Sequence, residues 1–212
     1  EEVRRKFFGT LYNTYSFFAL YANVDGFDYS EPDVDWKERP EIDRWILSLL
    51  NSLVKDVDGF LDTYEPTRAG RAISDFVNDN LSNWYVRRCR DRFWAKGMEQ
   101  DKVNAYMTLY TALVTVCKAA APMIPFMTEE IYQNIVRSVD ASAKESIHLC
   151  DFPVYNAEQV DEKLEADMDL VLKIVVLGRA CRNGAAIKNR QPIGQMYVKA
   201  DFEIPEFYKD IV

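Results

Sequence analysis

The sequence is poor in residues that break helices. Glycine and proline number eight each in 212 residues, a low share that argues against a turn-rich all-β sandwich. There is one histidine, His148, so no motif built on two histidines can be present. Four cysteines, Cys89, Cys117, Cys150 and Cys181, are widely spaced with no CxxC among them. That pattern speaks against a zinc ribbon and for a reducing compartment. Long apolar runs are missing as well. The most apolar stretch, residues 109–127, is interrupted by Lys118, Pro122 and Pro125 and does not read as a transmembrane span. No signal-peptide pattern opens the chain. Neither a GxxxxGK[ST] phosphate loop nor a GxSxG elbow occurs. His148, inside Ile-His-Leu, has no partner pattern and reads as a strand or junction residue rather than a base. Asn80-Leu81-Ser82 is formally a glycosylation sequon, but it falls in an expected helix and reads as a chance match.

What is present suits a folded chain. Hydrophobic residues make up 48% and aromatics 13%, enough for a core and too much for an intrinsically disordered segment. At roughly 150 residues per domain, the length suggests one domain plus an appendage. Lysine and arginine number 26 against 34 aspartates and glutamates, a net charge of −8. Such a chain does not coat nucleic acid by overall charge, although a local basic site remains open to it. The chain starts at Glu1 without an initiator Met and stops at Val212 in a helix-like run, so it reads as a piece of a longer protein.

Periodicity gives a mainly α fold. An aromatic-rich first helix covers 3–23, with Phe7, Phe8, Leu11, Tyr12, Tyr15 and Phe18, and an acidic loop follows from Asp25 to Glu38. In the second helix Ile42, Trp45, Ile46, Leu49, Leu50, Leu53 and Val57 recur at helical spacing, leaving Asp43, Lys55 and Asp56 outside. Pro66 suits the first turn of a third helix that runs to about Trp94. A fourth carries Tyr106, Leu109, Leu113 and Cys117 on one stripe and ends at Pro122 and Pro125. Thr128 precedes a fifth. Beyond Asp140 the chain turns small and polar. A short extended piece is expected at 147–153, a sixth helix at about 160–186, a strand at 195–200 and a last short helix from Pro205. Residues 1–137 thus read as an antiparallel bundle of about five helices. Residues 138–212 read as a linker and a small, truncated α/β junction unit.

Two clusters break the acidic background. Arg87 to Lys96 holds five positive residues and one negative. At 100° per residue the buried face of the third helix switches by half a turn between Trp84 and Cys89, so this end is expected to leave the bundle and present guanidinium groups. The bland alternative is an internal pair between Arg87 and Asp91 at i,i+4. Arg179, Arg182, Lys188 and Arg190 form the second cluster, with no acid between them, while the helix leading to it begins acidic, as its dipole favours. Two basic clusters on an acidic chain suggest focusing of an anionic partner, with RNA backbone the natural candidate. Nearby aromatics could stack an unpaired base. The competing reading is a structural or interaction module whose basic clusters are internal salt bridges.

The string LSNWYVRRCRDRFW, Leu81 to Trp94, resembles the signature of the anticodon-binding domain of class I isoleucyl-tRNA synthetases. NTYSFFALYANVDGF (Asn13–Phe27), DRWILSLLNSLV (Asp43–Val54) and APMIPFMTEEIYQNI (Ala121–Ile135) are similar to further segments of that family, in the same order. SIHLCDFP (Ser146–Pro153) and LGRACRNGAAIKNRQPI (Leu177–Ile193) resemble its downstream junction. The valyl and leucyl siblings share the bundle; the wording Asn83-Trp84-Tyr85-Val86-Arg87 favours isoleucine. The resemblance implies a cytoplasmic enzyme that charges tRNA(Ile) with isoleucine, using ATP and magnesium. It also implies that HxGH-type, KMSKS-type and editing sites, and the family's zinc cysteines, lie outside this span. The segment itself would then hold no catalytic residue, metal or cofactor. It would dock the anticodon arm and pack on the catalytic domain of the same polypeptide. Charge and helical phase nominate Arg87, Arg88, Arg90 and Arg92 along the anticodon stem or loop, with Trp94 packing at the helix end or stacking a base. Arg179, Arg182, Lys188 and Arg190 would extend the track.

Overall fold

The computed structural model describes residues 4–29, 33–188, 190–200 and 208–209. Among the described residues there is no β-strand, and α-helices dominate. The first, α1 (Gly9–Asp25), continues a π turn at Arg4–Phe8. Gly26 ends it with φ 69, and its N–H returns to the Ala22 carbonyl, a left-handed cap that glycine adopts without a Cβ clash. Helix α2 spans Glu41–Asp62. A single rod then runs through α3 (Pro66–Asp75), a π segment (Phe76–Val86) and α4 (Arg87–Trp94). Pro66 sits in the first turn, where a missing N–H is harmless. Helices α5 (Gln100–Ala120), α6 (Pro125–Tyr132) and α7 (Glu162–Gly184) follow.

Cross-contacts fix the directions. Asp43 at the start of α2 meets Arg92 near the end of the rod, while Arg68 at the rod's start lies over Phe60 near the end of α2. Asp25, closing α1, pairs with Lys102, opening α5. Helices α1 and the rod therefore run one way, and α2 and α5 the other, which is the expected antiparallel bundle. Helix α5 is buried around most of its circumference, including Tyr106, Leu109, Leu113 and Cys117, as a central helix must be. The α1 aromatics serve this core: Phe18 sits edge-on to Tyr106, and Phe17 edge-on to Phe93.

The rod corrects one expectation in an instructive way. Its buried face does not switch. Ala69, Ile73, Val77, Leu81, Tyr85, Cys89 and Phe93 are all buried, at intervals of four. A 3.6-residue helix would wind such a row steadily around its axis. The π segment, with i→i+5 bonding, takes more residues per turn and cancels the drift. Asn80 and Trp84, expected on the core face, are only half-buried; Leu81 and Tyr85 take those places.

Other differences lie downstream. The small α/β junction unit is not observed among the described residues. Residues 195–200 have no regular structure, and Ile147–Leu149 forms a 3₁₀ turn rather than an extended piece. Alternating side chains cannot make a strand without a neighbour to take up its N–H and C=O groups. Thr128 does not precede a helix but lies inside α6, its hydroxyl donating to the Ile124 carbonyl, because Pro125 opens that helix one turn earlier. The helix expected from Pro205 falls mostly outside the described residues. By compactness the chain forms two units, Glu1–Val160 and Asp161–Val212. Residues 138–160 are strapped to the first. Gln133 donates to the Glu145 carbonyl, Glu129 accepts from Ser146 and Ile147, and Asn51 accepts from the Asn156 amide. The second unit contains α7, whose first turn is capped by the Asp161 side chain accepting from the Leu164 amide.

Candidate nucleic-acid interface

Helix α4 has two faces set by its sequence. Cys89 and Phe93 point into the core. On the opposite side Arg87, Arg90, Asp91 and Trp94 are exposed. Arg87 and Asp91 do not form the i,i+4 pair that the bland reading required: no ion pair joins them among the described residues. Arg88 is exposed too, its guanidinium 5.5 Å from the centre of the Trp84 ring, a cation–π distance. Trp94 keeps 54% of its surface in solvent while its indole N–H donates to Tyr21 Oη at 2.7 Å. Tyr21 packs on Phe17, and Phe17 on Phe93. The indole is thus both tied at the helix end and open to a partner.

Arg92, expected beside Arg87, Arg88 and Arg90 on the same track, has different surroundings from its neighbours. Its Nη1 and Nη2 make a two-pronged pair with Asp43 at 2.6 and 2.8 Å. Nε donates to Asp101 Oδ2 at 2.9 Å, and Nη2 also donates to the Asp101 carbonyl. Asp43 is wholly buried and accepts a further hydrogen bond from Tyr85 Oη at 2.7 Å. Such a fork-to-carboxylate geometry suits a buried pair. Burial alone would lower the Arg92 pKa, but the bonds and charge of Asp43 more than reverse this, so the guanidinium stays charged. Burial, then the Asp43 charge, drives the Tyr85 phenol well above its ordinary value, and burial pushes the Cys89 thiol up to about 11. Every nitrogen of Arg92 is engaged within the bundle. It fastens α4 to α2 and α5.

A second fastening closes the helix. Lys102, nearly fully buried, pairs with Asp25 at 2.6 Å and donates to the Ala95 carbonyl just beyond α4. Tyr106 also donates to Asp25.

The second cluster lies within the second unit. Arg179, Lys188 and Arg190 are exposed. Arg182 is half-buried, and its Nη1 donates to the carbonyls of Lys188 and Gln191. It thereby closes the turn after α7 and holds Lys188 and Arg190 on that turn. Among the described residues no group of His, Cys, Asp or Glu is placed to hold a metal ion, and no helix is long and apolar enough to cross a membrane. His148 lies in the 3₁₀ turn with its amide on Ser146 Oγ. A groove of about 810 Å³ runs beside the start of α1, lined by Lys6, Phe7, Arg71, Asn78 and Met123; the described residues around it form no catalytic constellation.

Sequence reasoning missed Asp43, Tyr85, Lys102 and Tyr21. The signal for Asp43 was present. It precedes Ile46 by three residues and Leu50 by seven, which places a carboxylate on the apolar face of α2. A buried carboxylate demands a cation, and an arginine-rich helix supplies one.

The site is thus a helical bundle that internalises one arginine of a cluster, Arg92, and leaves Arg87 and Arg90 exposed. Comparison with known proteins gives its family: the chain belongs to the one described as the anticodon-binding domain of tRNA ligases, matched over residues 43–198. Over its full length it is 54% identical to an isoleucine–tRNA ligase of Bacteroides fragilis and 51% identical to one of Clostridium novyi. Over 91% of its length it is 58% identical to the enzyme of Bacteroides thetaiotaomicron. It spans 19%, 20% and 17% of those proteins respectively.

Proposed function

We propose that this chain is the anticodon-arm docking module of an isoleucine–tRNA ligase and that its partner is tRNA(Ile). The activation of isoleucine with ATP and magnesium, its transfer to tRNA, and editing belong to other parts of the longer protein. The bundle would pack on that protein's catalytic domain, in the cytoplasm. The observation that carries the reading is the outward face of α4, where Arg87 and Arg90 stand without ion pairs among the described residues, beside exposed Arg88 and Trp94. Arginines in water are free to exchange counterions for phosphates, and an anchored, open indole suits a stacked base. Arg179, Lys188 and Arg190 would extend the contact, with Arg182 shaping their turn. The names of the relatives favour isoleucine over valine or leucine.

Footprinting of tRNA(Ile) on the full-length protein tests this. The wild-type protein is expected to protect the anticodon arm from hydroxyl-radical cleavage. An Arg87→Glu, Arg88→Glu variant is expected to lose that protection while keeping protection elsewhere on the tRNA. An unchanged footprint would reject the assignment.

A further inference from the structure

Docking an RNA backbone on α4 needs two or three arginines held at a fixed angle, and helix α4 by itself fixes that angle poorly. It is eight residues long. It is preceded by a π segment, a looser geometry than α-helix, and is followed by non-helical backbone at residues 95–99. Only Cys89 and Phe93 of this helix are buried in the core. Two side chains one turn apart define a line, and the other ties of α4 lie at its ends: its continuity with the rod, Trp94 on Tyr21, and the Ala95 carbonyl on Lys102. A roll of about 20° is enough to spoil a preorganised site.

Arg92 lies off that line. It reaches α2 through Asp43 and α5 through Asp101, on four hydrogen bonds at once. We infer that Asp43 and Asp101, acting through Arg92, set the roll of α4 and are positioning residues for Arg87 and Arg90. This rests on the docking function proposed above. In that arrangement one arginine is held inside the bundle so that its neighbours keep a defined direction outside it. Tyr85 reinforces the arrangement, since its hydroxyl shares Asp43 Oδ1 with Arg92. Tyr85 stands four residues before Cys89 and eight before Phe93, on the same buried row.

Asp43 has no exposed surface and carries the wrong sign to touch RNA, which makes it the informative position. The experiment is a double-mutant cycle in the full-length protein, reading the affinity for tRNA(Ile) as a function of salt. Asp43→Asn and Arg87→Gln, Arg90→Gln are measured singly and together, well below each variant's unfolding midpoint. Asp43→Asn removes no cation, yet it is expected to lower the log–log salt slope by about one to two. Its effect should vanish in the Arg87→Gln, Arg90→Gln background, because the guanidinium groups it aims are already gone. Asp101→Asn, at a half-exposed carboxylate, should act in the same direction more weakly, and it decides the matter if Asp43→Asn does not fold. A folded Asp43→Asn protein with the wild-type slope would overturn the inference. So would a loss of affinity of equal factor in both backgrounds, which marks general structural damage. If Arg87→Gln, Arg90→Gln alone leaves affinity and slope unchanged, the docking face itself is wrong and the inference falls with it. An effect of that double variant without one from Asp43→Asn overturns the positioning role alone.

Discussion

Residues of one type take opposite roles here according to what lies beneath them. Arg92 sits over a fully buried carboxylate; Arg87 and Arg90 have no ion-pair partner among the described residues. Replacing Arg92 with Met should lower stability by about 3–5 kcal/mol in a urea titration, because the buried Asp43 carboxylate loses its cation and keeps only the Tyr85 hydroxyl. Arg87→Gln and Arg90→Gln should each change it by no more than about 0.5 kcal/mol. Equal effects at the three sites would contradict this division. Tyr85→Phe removes one bond to a charged acceptor and should cost about 1.5–3 kcal/mol. The cysteines offer a chemical check. Cys181 is exposed, while burial holds the Cys89 thiol up at about 11 and the Cys117 thiol at about 12. In native protein a thiol reagent should label Cys181 first, and Cys89 and Cys117 only on unfolding; early labelling of Cys89 would show that α4 opens. The clustering of arginines was legible in the sequence. Which of them was internal was not, because that depends on Asp43, 49 positions upstream. The charge of Asp43 suggests solvent and masks its place on the apolar face of α2.

At the scale of an element, the rod from Pro66 to Trp94 shows what local reasoning captures. Its existence and both ends follow from Pro66, from the apolar spacing and from the turn at Gly97, whose φ is 78. Its phase does not, since assuming 100° per residue throughout makes the buried face appear to switch. The π segment keeps one row buried instead, with Leu81 and Tyr85 inward. Leu81→Ala should therefore cost about 2–5 kcal/mol, whereas Asn80→Ala should fall within about 0.5 kcal/mol. The reverse order would restore the switched face. Nothing in the residue types of Phe76–Val86 announces i→i+5 bonding. The segment packs against both α1 and α2, contacts that no local pattern reveals.

For the whole molecule, the antiparallel bundle was readable because its helices are long and strongly patterned. The junction unit was not, because a strand is a property of a pair of segments, and one alternating stretch at 195–200 carries no information about a partner. The net charge of −8 also resolves into parts. Some of the acid at the end of α1 and in the loop after it is paired within the chain, with Asp25 on Lys102 and Asp33 on Arg39. Among the described residues the cationic face of α4 has no such compensation at Arg87 and Arg90. The most direct measurement of the central claim is the salt dependence of tRNA(Ile) binding by the full-length protein, wild-type against Arg87→Gln, Arg90→Gln. Removing two phosphate-binding charges should reduce the log–log slope by about two. An identical slope and affinity in both proteins would contradict the account.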